Sequence, residues 1–300
     1  MPRILLTGKT GQVGHYLLRS LAPLGHVIAP DRADIDFTEG DSIRAAIRKA
    51  RPDIVVNAAG LTIVDAAEHE PDLTMQVNGV APGILAEEAR RCGALLLHYS
   101  TTFVFDGTKR QPYVEDDEPN PLNAYGRSKL AGERAIVAAG GDYLILRASW
   151  TYSDLRSNFP RTLLKLAREK KELTIIDDQV ASPTWARAYA DASAQLLKQT
   201  DRIRAQPGIF HLSSAGETTR LRWAKKIIEL AQKYGARPSG WANLRPIASS
   251  EYPHDAERPL YTVVDNSKIA AAFDIRMSHW EEQLDAFMRE YAARNDKVLG

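Results

Sequence analysis

The chain opens with a short apolar run, Ile4-Leu5-Leu6-Thr7, that passes without a linker into Gly8-Lys9-Thr10-Gly11-Gln12-Val13-Gly14 and then into an amphipathic stretch. A GxxGxxG loop between a first strand and a first helix restricts the fold more than any other feature here. Glycine meets three demands at such a loop: a tight turn, close backbone approach to a pyrophosphate, and close packing of helix on strand. The exposed N–H groups and positive helix end then hold the phosphates. Gly8-Lys9-Thr10 could be mistaken for the end of an NTPase phosphate loop. That pattern requires glycine where Arg3 stands, and a long loop where this chain has a strand. The loop therefore predicts a dinucleotide cofactor on Gly8, Gly11, Gln12, Val13 and Gly14.

The rest of the first half alternates β-branched or Leu-rich runs with longer amphipathic stretches, the pattern of a parallel sheet covered by helices on both faces. Strands are expected at 4–7, 26–29, 54–57, 95–99 and 143–147, with helices at 14–22, 41–50, 73–92 and 124–139. A late strand-like run at 208–213 is expected to rejoin the sheet, ahead of a predominantly helical tail from Arg220 to Gly300. The fold class is thus α/β: a Rossmann doubly wound parallel sheet with a smaller, discontinuous α/β substrate domain. Residues 1–154 and about 184–213 are assigned to the first domain, and about 155–183 with 214–300 to the second.

Charge and cysteine content narrow the class further. Lys plus Arg number 39 against 38 for Asp plus Glu, so a net charge of +1 gives no footprint for nucleic acid or an anionic membrane. A single cysteine, Cys92, excludes an intrachain disulfide and a thiol cluster for zinc, and it suits the cytosol. The first apolar run is too short for a signal segment or a membrane span. A cytoplasmic protein, as monomer or homodimer, is expected.

Past the glycine loop, Asp31 and Arg32 stand near the end of the second strand, where an acidic residue binds the adenosine ribose. Asp31 favours NADH and Arg32 favours the 2′-phosphate of NADPH, so the pair leaves the choice open; the alternative is that both merely cap a strand. Asn57-Ala58-Ala59-Gly60 follows the third strand with small residues that admit a cofactor close to the backbone, or form a plain turn.

Tyr125 and Lys129 lie four residues apart at the start of an apolar-periodic helix, so both side chains share one face. An ammonium beside a phenol, together with the positive nicotinamide ring of a cofactor, lowers the phenol pKa toward working pH, which suits Tyr125 to exchange a proton with a carbonyl. A YxxxK string is common on helix surfaces; the glycine loop upstream gives it weight. A hydroxyl that polarises the carbonyl is expected at the end of the fourth strand, from Ser100, Thr101 or Thr102, unless these only cap the strand. Trp150, beyond the fifth strand, is either a platform for a sugar or nicotinamide or ordinary core. The seven histidines show no metal-binding spacing, no G-x-S-x-G elbow is present, and isolated histidines such as His98 read as structural.

Taken together, these residues resemble the dTDP-4-dehydrorhamnose reductase family of extended short-chain dehydrogenase/reductases. The pattern is followed in order by Gly8 to Gly14, Arg51 to Ala59, Val64 to Glu68, His98 to Thr101, Val104-Phe105, Pro121 to Asn123, Tyr125-Gly126, Lys129 to Glu133, Ser149-Trp150 and Asp178-Gln179. The resemblance implies transfer of hydride to the C4 ketone of dTDP-4-dehydro-6-deoxy-L-mannose, giving dTDP-L-rhamnose. It implies that Tyr125 supplies the proton, Thr101 polarises the ketone, Lys129 holds the ribose and tunes Tyr125, and Trp150 packs on the sugar, with Thr102 also near the substrate. Cofactor contacts would fall on Gly11, Gln12, Val13, Asp31, Asp36, Phe37, Gly60, Leu61, Thr62 and Tyr99, beside Ala58 and Ala59.

Two departures stand out. The family usually has Asp-Tyr where this chain has Thr102-Phe103, removing a carboxylate and a phenol beside the site. Relatives with a magnesium-clamped dimer carry Glu where Tyr16 stands, so no metal is expected. Two other readings share the fold: a non-catalytic nucleotide-binding regulatory subunit, and an epimerase or dehydratase on a nucleotide sugar. The intact Thr101, Tyr125 and Lys129 speak against the first, and release of cofactor on dialysis would speak against the second.

Overall fold

Continuous apolar strands need cover on both faces, and the first half of the chain supplies it. A computed structural model describes residues 1–235 and 240–294. In chain order come β1 (Arg3–Thr7), α1 (Gln12–Leu21), β2 (His26–Ile28), α2 (Gly40–Ala50), β3 (Ile54–Asn57), α3 (Val64–His69) and α4 (Pro71–Met75). A π-helical turn (Gln76–Val80) leads to α5 (Ala81–Arg91), β4 (Leu95–Thr101), α6 (Ala124–Ala139), β5 (Tyr143–Ala148), β6 (Thr151–Tyr152), α7 (Phe159–Glu169) and β7 (Glu172–Ile176). The remainder is β8 (Val180–Ala181), β9 (Thr184–Trp185), α8 (Ala186–Leu197), α9 (Thr200–Ala205), β10 (Gly208–His211), β11 (Thr218–Thr219), α10 (Arg220–Tyr234), β12 (Asn243–Ile247), α11 (Ser267–Phe273) and α12 (Trp280–Arg294).

Six strands form one parallel sheet in the order β10-β5-β4-β3-β1-β2. The chain leaves β1 toward β2 on one side and returns to β3 on the other, which makes β1/β3 the topological switch point where ligands enter such sheets. Leu5, Val55, Leu96 and Ile145 pack on one face under α2 and α5, and Leu6, Val56, Leu97 and Leu146 pack on the other against α1 and α8. The late strand β10 does join the sheet beside β5.

Three sequence expectations need correction. The stretch 73–92 is not one helix. Pro82 has no N–H to donate to the Asn78 carbonyl, and a Cβ at Gly132 would lie 2.2 Å from that same oxygen. The turn around Asn78 therefore widens against α6 instead of continuing as α-helix. The tail after Arg220 is broken by β12, which pairs in parallel with β7 outside the main sheet; residues 236–239 and 295–300 of that tail lie outside the described residues. Finally, the range 214–300 expected in the smaller domain includes α11, which packs under the sheet, with Phe273 edge-on to Phe210 at 5.2 Å.

A second apolar cluster gathers Tyr152, Leu164, Trp185, Trp223, Ile227 and Phe287 from β6, α7, β9, α10 and α12. It begins with Tyr152 of β6, just beyond the carboxyl end of β5.

Candidate functional site

The glycine loop is built for close approach. Gly8 has φ +74°, and a Cβ on it would lie 2.4 Å from the Ala58 carbonyl oxygen at the end of β3. At Gly14 a Cβ would meet the Gly8 oxygen at 2.0 Å. Gly11 precedes α1 without a side-chain cap, and the first bond into the helix runs from the His15 N–H to the Gly11 oxygen at 3.1 Å. The N–H groups of Gln12, Val13 and Gly14 are thus left for a ligand at the switch point, and their cradle fits a pyrophosphate. Val13 rests on the core, while Gln12 Oε1 accepts from Ser153 Oγ at 2.8 Å and Asn158 Nδ2 at 3.1 Å.

Beyond β2, Asp31 and Arg32 are both exposed. Asp31 is paired with a residue of the glycine loop: Lys9 Nζ lies 2.9 Å from its Oδ1 and donates to the Ala29 oxygen at 2.9 Å. Asp36 faces its own turn. Hydrogen bonds from the Thr38 hydroxyl (2.7 Å) and N–H (2.8 Å) hold its carboxyl below the ordinary value. Phe37 packs on the cluster beneath α2.

After β3, the Ala58 N–H donates to the Thr7 oxygen at 3.3 Å and the Ala59 N–H to Asn57 Oδ1 at 3.2 Å. Gly60, Leu61 and Thr62 pass beside the π-helical turn. Asn78 there clasps Leu61 by accepting from its N–H (2.9 Å) and donating to its oxygen (2.8 Å). Asn78 was not foreseen; an Asn flanked by Gly79 and Pro82 inside an apparent helix was its only signal.

Thr101 ends β4 in register with Ala148 of β5, so it stands on the sheet's carboxyl edge two residues from the level of Trp150. Asn123 starts α6 by accepting from the Gly126 N–H at 2.8 Å, a cap worth about 1 kcal/mol. That start sets Tyr125, Lys129 and Glu133 on one helix face at four-residue spacing. Tyr125 and Lys129 are both buried. Burial raises the Tyr125 pKa, offset in part by a hydrogen bond with Thr101. The lowering expected from sequence belongs to Lys129 together with a bound nicotinamide; in the protein alone, desolvation sets the direction. Burial also lowers Lys129 to about 8, with Glu133 acting in the opposite sense.

Lys129 Nζ donates to the Tyr99 oxygen at 2.7 Å. Tyr99 thus serves the site through its carbonyl, while its ring packs edge-on to Tyr189 at 5.1 Å. Thr102 is fully buried with its hydroxyl unpartnered, so the structure does not bring it out beside Thr101. Glu133 is anchored by Ser100 and by two bonds from Arg147, at 2.9 and 2.6 Å.

Trp150 has φ +37°, an unusual backbone for a bulky residue, and stacks on Trp223 with centroids 5.7 Å apart. The Arg220 guanidinium lies 4.3 Å from its ring centroid. Among the described residues the Arg220 guanidinium bonds only a neutral acceptor, Gln179 Oε1, at 3.3 and 3.0 Å. Desolvation, and then the nearby Arg258, push its pKa down to about 10. Arg258 itself makes two bonds to the Asp65 carboxylate, at 3.0 and 2.7 Å. Arg220 went unnoticed in the sequence because it begins a helix 70 residues after Trp150. Among the described residues no group of His, Cys, Asp or Glu is arranged to hold a metal, and Tyr16 bonds Asp154.

A Rossmann sheet with a glycine-lined phosphate cradle and a Tyr-x-x-x-Lys helix beside a strand-end threonine defines a nicotinamide-dependent enzyme of the short-chain dehydrogenase/reductase type. The chain belongs to the family described as RmlD substrate binding domain, which it matches over residues 2–293. It is 42% identical over 293 residues to a dTDP-4-dehydrorhamnose reductase of Burkholderia thailandensis, covering 96% of this chain and 98% of that protein. It is 38% identical over 291 residues to the dTDP-4-dehydrorhamnose reductase of Escherichia coli K12, covering 96% and 97%. The crystal structure of dTDP-4-dehydrorhamnose reductase from Bacillus anthracis in complex with NADP superposes with a TM-score of 0.89 at 30% identity, covering 96% of this chain and 99% of that one.

Proposed function

We propose that the protein is a reductase acting on the C4 ketone of dTDP-4-dehydro-6-deoxy-L-mannose to give dTDP-L-rhamnose. The observation that carries this reading is that Tyr125 and Lys129 are buried together on one face of α6, with Lys129 Nζ donating to the Tyr99 oxygen of the strand that ends in Thr101. When bound, a reduced nicotinamide supplies the hydride. Thr101 donates to the ketone oxygen and polarises it. Tyr125, protonated because it is buried, gives its proton to the same oxygen. Lys129 holds the cofactor ribose. Trp150 covers the sugar, and Arg220, a cation without a carboxylate partner, takes the diphosphate.

The reading is supported by the reductases most similar to this chain and by the NADP bound in the related crystal structure. Asp31, Lys9 and Arg32 lie where the adenosine ribose would sit, so both NADH and NADPH are admitted. We assign the cofactor to the sheet domain and the sugar to the smaller unit around Trp223, in a cytosolic protein that is a monomer or homodimer. Among the described residues no helix is long and apolar enough to cross a membrane. Tyr125→Phe tests the reading: turnover should fall by about 10²- to 10⁴-fold with cofactor affinity nearly unchanged, whereas normal turnover would remove Tyr125 from the chemistry.

A further inference from the structure

Three neighbouring strands of the sheet carry polar residues that are register mates: Thr7 at the end of β1, Asn57 at the end of β3 and His98 within β4. Thr7 lies opposite Asn57, and Asn57 opposite His98. All three are buried, two positions on from Leu5, Val55 and Leu96 and so on the same face of the sheet. Such a row in an apolar face is costly unless its members satisfy one another, and each has a partner. Thr7 Oγ1 donates to Asn57 Oδ1 at 2.7 Å, Asn57 Nδ2 faces His98 Nδ1 at 3.0 Å, and His98 Nε2 faces Lys129 Nζ at 3.2 Å.

The direction of these bonds is determined at one end. The Ala59 backbone N–H is a donor and nothing else, and it points at Asn57 Oδ1. The other side of that amide is therefore NH₂, a donor, and His98 Nδ1 must accept from it. Burial keeps the imidazole neutral, so its single proton is on Nε2, aimed at Lys129. An ammonium there would set donor against donor; a neutral amine turns its lone pair to the Nε2–H while still donating to the Tyr99 oxygen.

We propose that His98 is a positioning residue for the proton of Lys129: its Nε2–H, oriented by Asn57, stabilises the neutral amine left when Lys129 passes its proton to Tyr125. This rests on the reductase reading of Tyr125 and Lys129. In the proton balance, the Tyr125 phenol proton goes to the ketone oxygen, and the Lys129 ammonium reprotonates the phenolate. The resulting amine accepts from His98, and solvent returns a proton to it. The ionisable groups around Lys129 are Tyr125 and Glu133 on its own helix, His98 and Tyr99 on β4, and Tyr189 on α8 behind Tyr99. Arg147 on β5 pairs with Glu133. Of these, His98 has a hydrogen-bond contact to Nζ through its side chain.

The test reads the tautomer directly. In cofactor-free protein carrying ¹⁵N-histidine, long-range ¹H–¹⁵N correlation should find His98 protonated at Nε2 and bare at Nδ1, the signal being assigned by its loss in His98→Gln. Asn57→Asp places a carboxylate against Nδ1 and should move the proton there. Nε2 then becomes an acceptor, and proton binding by Lys129, followed through its ¹³Cε shift against pH, should tighten by about tenfold. A wild-type proton on Nδ1 would overturn the proposal. So would a tighter Lys129 with the tautomer unmoved, which is charge alone. If Asn57→Asp does not fold, the wild-type spectrum decides. No turnover enters these readouts, so failure here is separate from failure of the reductase reading, which Tyr125→Phe reports.

Discussion

The guanidinium of Arg220 lies 4.3 Å from the ring centroid of Trp150, with a neutral amide as its only side-chain hydrogen-bond partner among the described residues. Half-buried and without a carboxylate partner among the described residues, this cation is open to the negative charge of a ligand. Arg220→Met should therefore raise KM for the nucleotide sugar by about 10- to 100-fold, the range of a charged hydrogen bond. Thermal stability should hold or rise. Steady-state kinetics beside a melting curve checks both, and an unchanged KM would detach Arg220 from the substrate.

Gly11 and Gly14 differ sharply in the room they offer. A Cβ at Gly14 would lie 2.0 Å from the Gly8 oxygen, whereas at Gly11 the nearest atom is that oxygen at 3.2 Å. Gly14→Ala should destabilise by about 1–3 kcal/mol or more and abolish cofactor binding. Gly11→Ala should fold normally and bind cofactor more weakly. Denaturation midpoints and fluorescence titration with NADPH compare them, and similar behaviour of the two variants would contradict the described loop.

Asp31 pairs with Lys9 of the glycine loop, and in the proposed function the adenosine ribose lies beside them. Asp31→Asn removes an acceptor for the ribose hydroxyls and frees Lys9, beside Arg32, for a 2′-phosphate. The ratio of kcat/KM for NADPH over NADH should rise by about tenfold, as expected for one charged contact. An unchanged ratio would assign the pair to the surface alone.

His211 is buried against Phe105 and near Arg147, with both ring nitrogens unpartnered. Burial first, and then Arg147, push its pKa down from 6.5 to about 3. Between those values the unfolded chain binds a proton that the folded protein refuses, so stability present above pH 6.5 is lost as pH falls toward 3. The slope is about 1.4 kcal/mol per pH unit for this group. His98 acts in the same direction. His211→Leu should reduce the loss in urea stability between pH 6.5 and 5 by about 2 kcal/mol at most; an unaltered slope would mean that His211 charges in place.

Local signals in the sequence carried much of this structure. Strand 54–57 was bounded to the residue by its apolar run, and Tyr125 with Lys129 fell on one buried helix face as their spacing requires. What escaped depends on residues remote from one another. Arg258 reaches Asp65 across 193 positions, and Arg220 meets Trp150 only after the second cluster has packed. The break at Asn78 follows from the approach of Gly132, which a helical period does not report. The burial that raises the Tyr125 pKa in the protein alone is a tertiary property, which the four-residue spacing to Lys129 does not report. His98 read as structural from its isolation in sequence; its meaning lies in the register that aligns it with Asn57 and Thr7.

The central claim is tested most directly by following absorbance of NADPH and NADH in parallel after adding enzymatically prepared dTDP-4-dehydro-6-deoxy-L-mannose. The account predicts oxidation of reduced cofactor with equimolar dTDP-L-rhamnose. No oxidation by a protein that demonstrably binds the cofactor would contradict it, and would direct attention to Thr102-Phe103 and a different keto sugar.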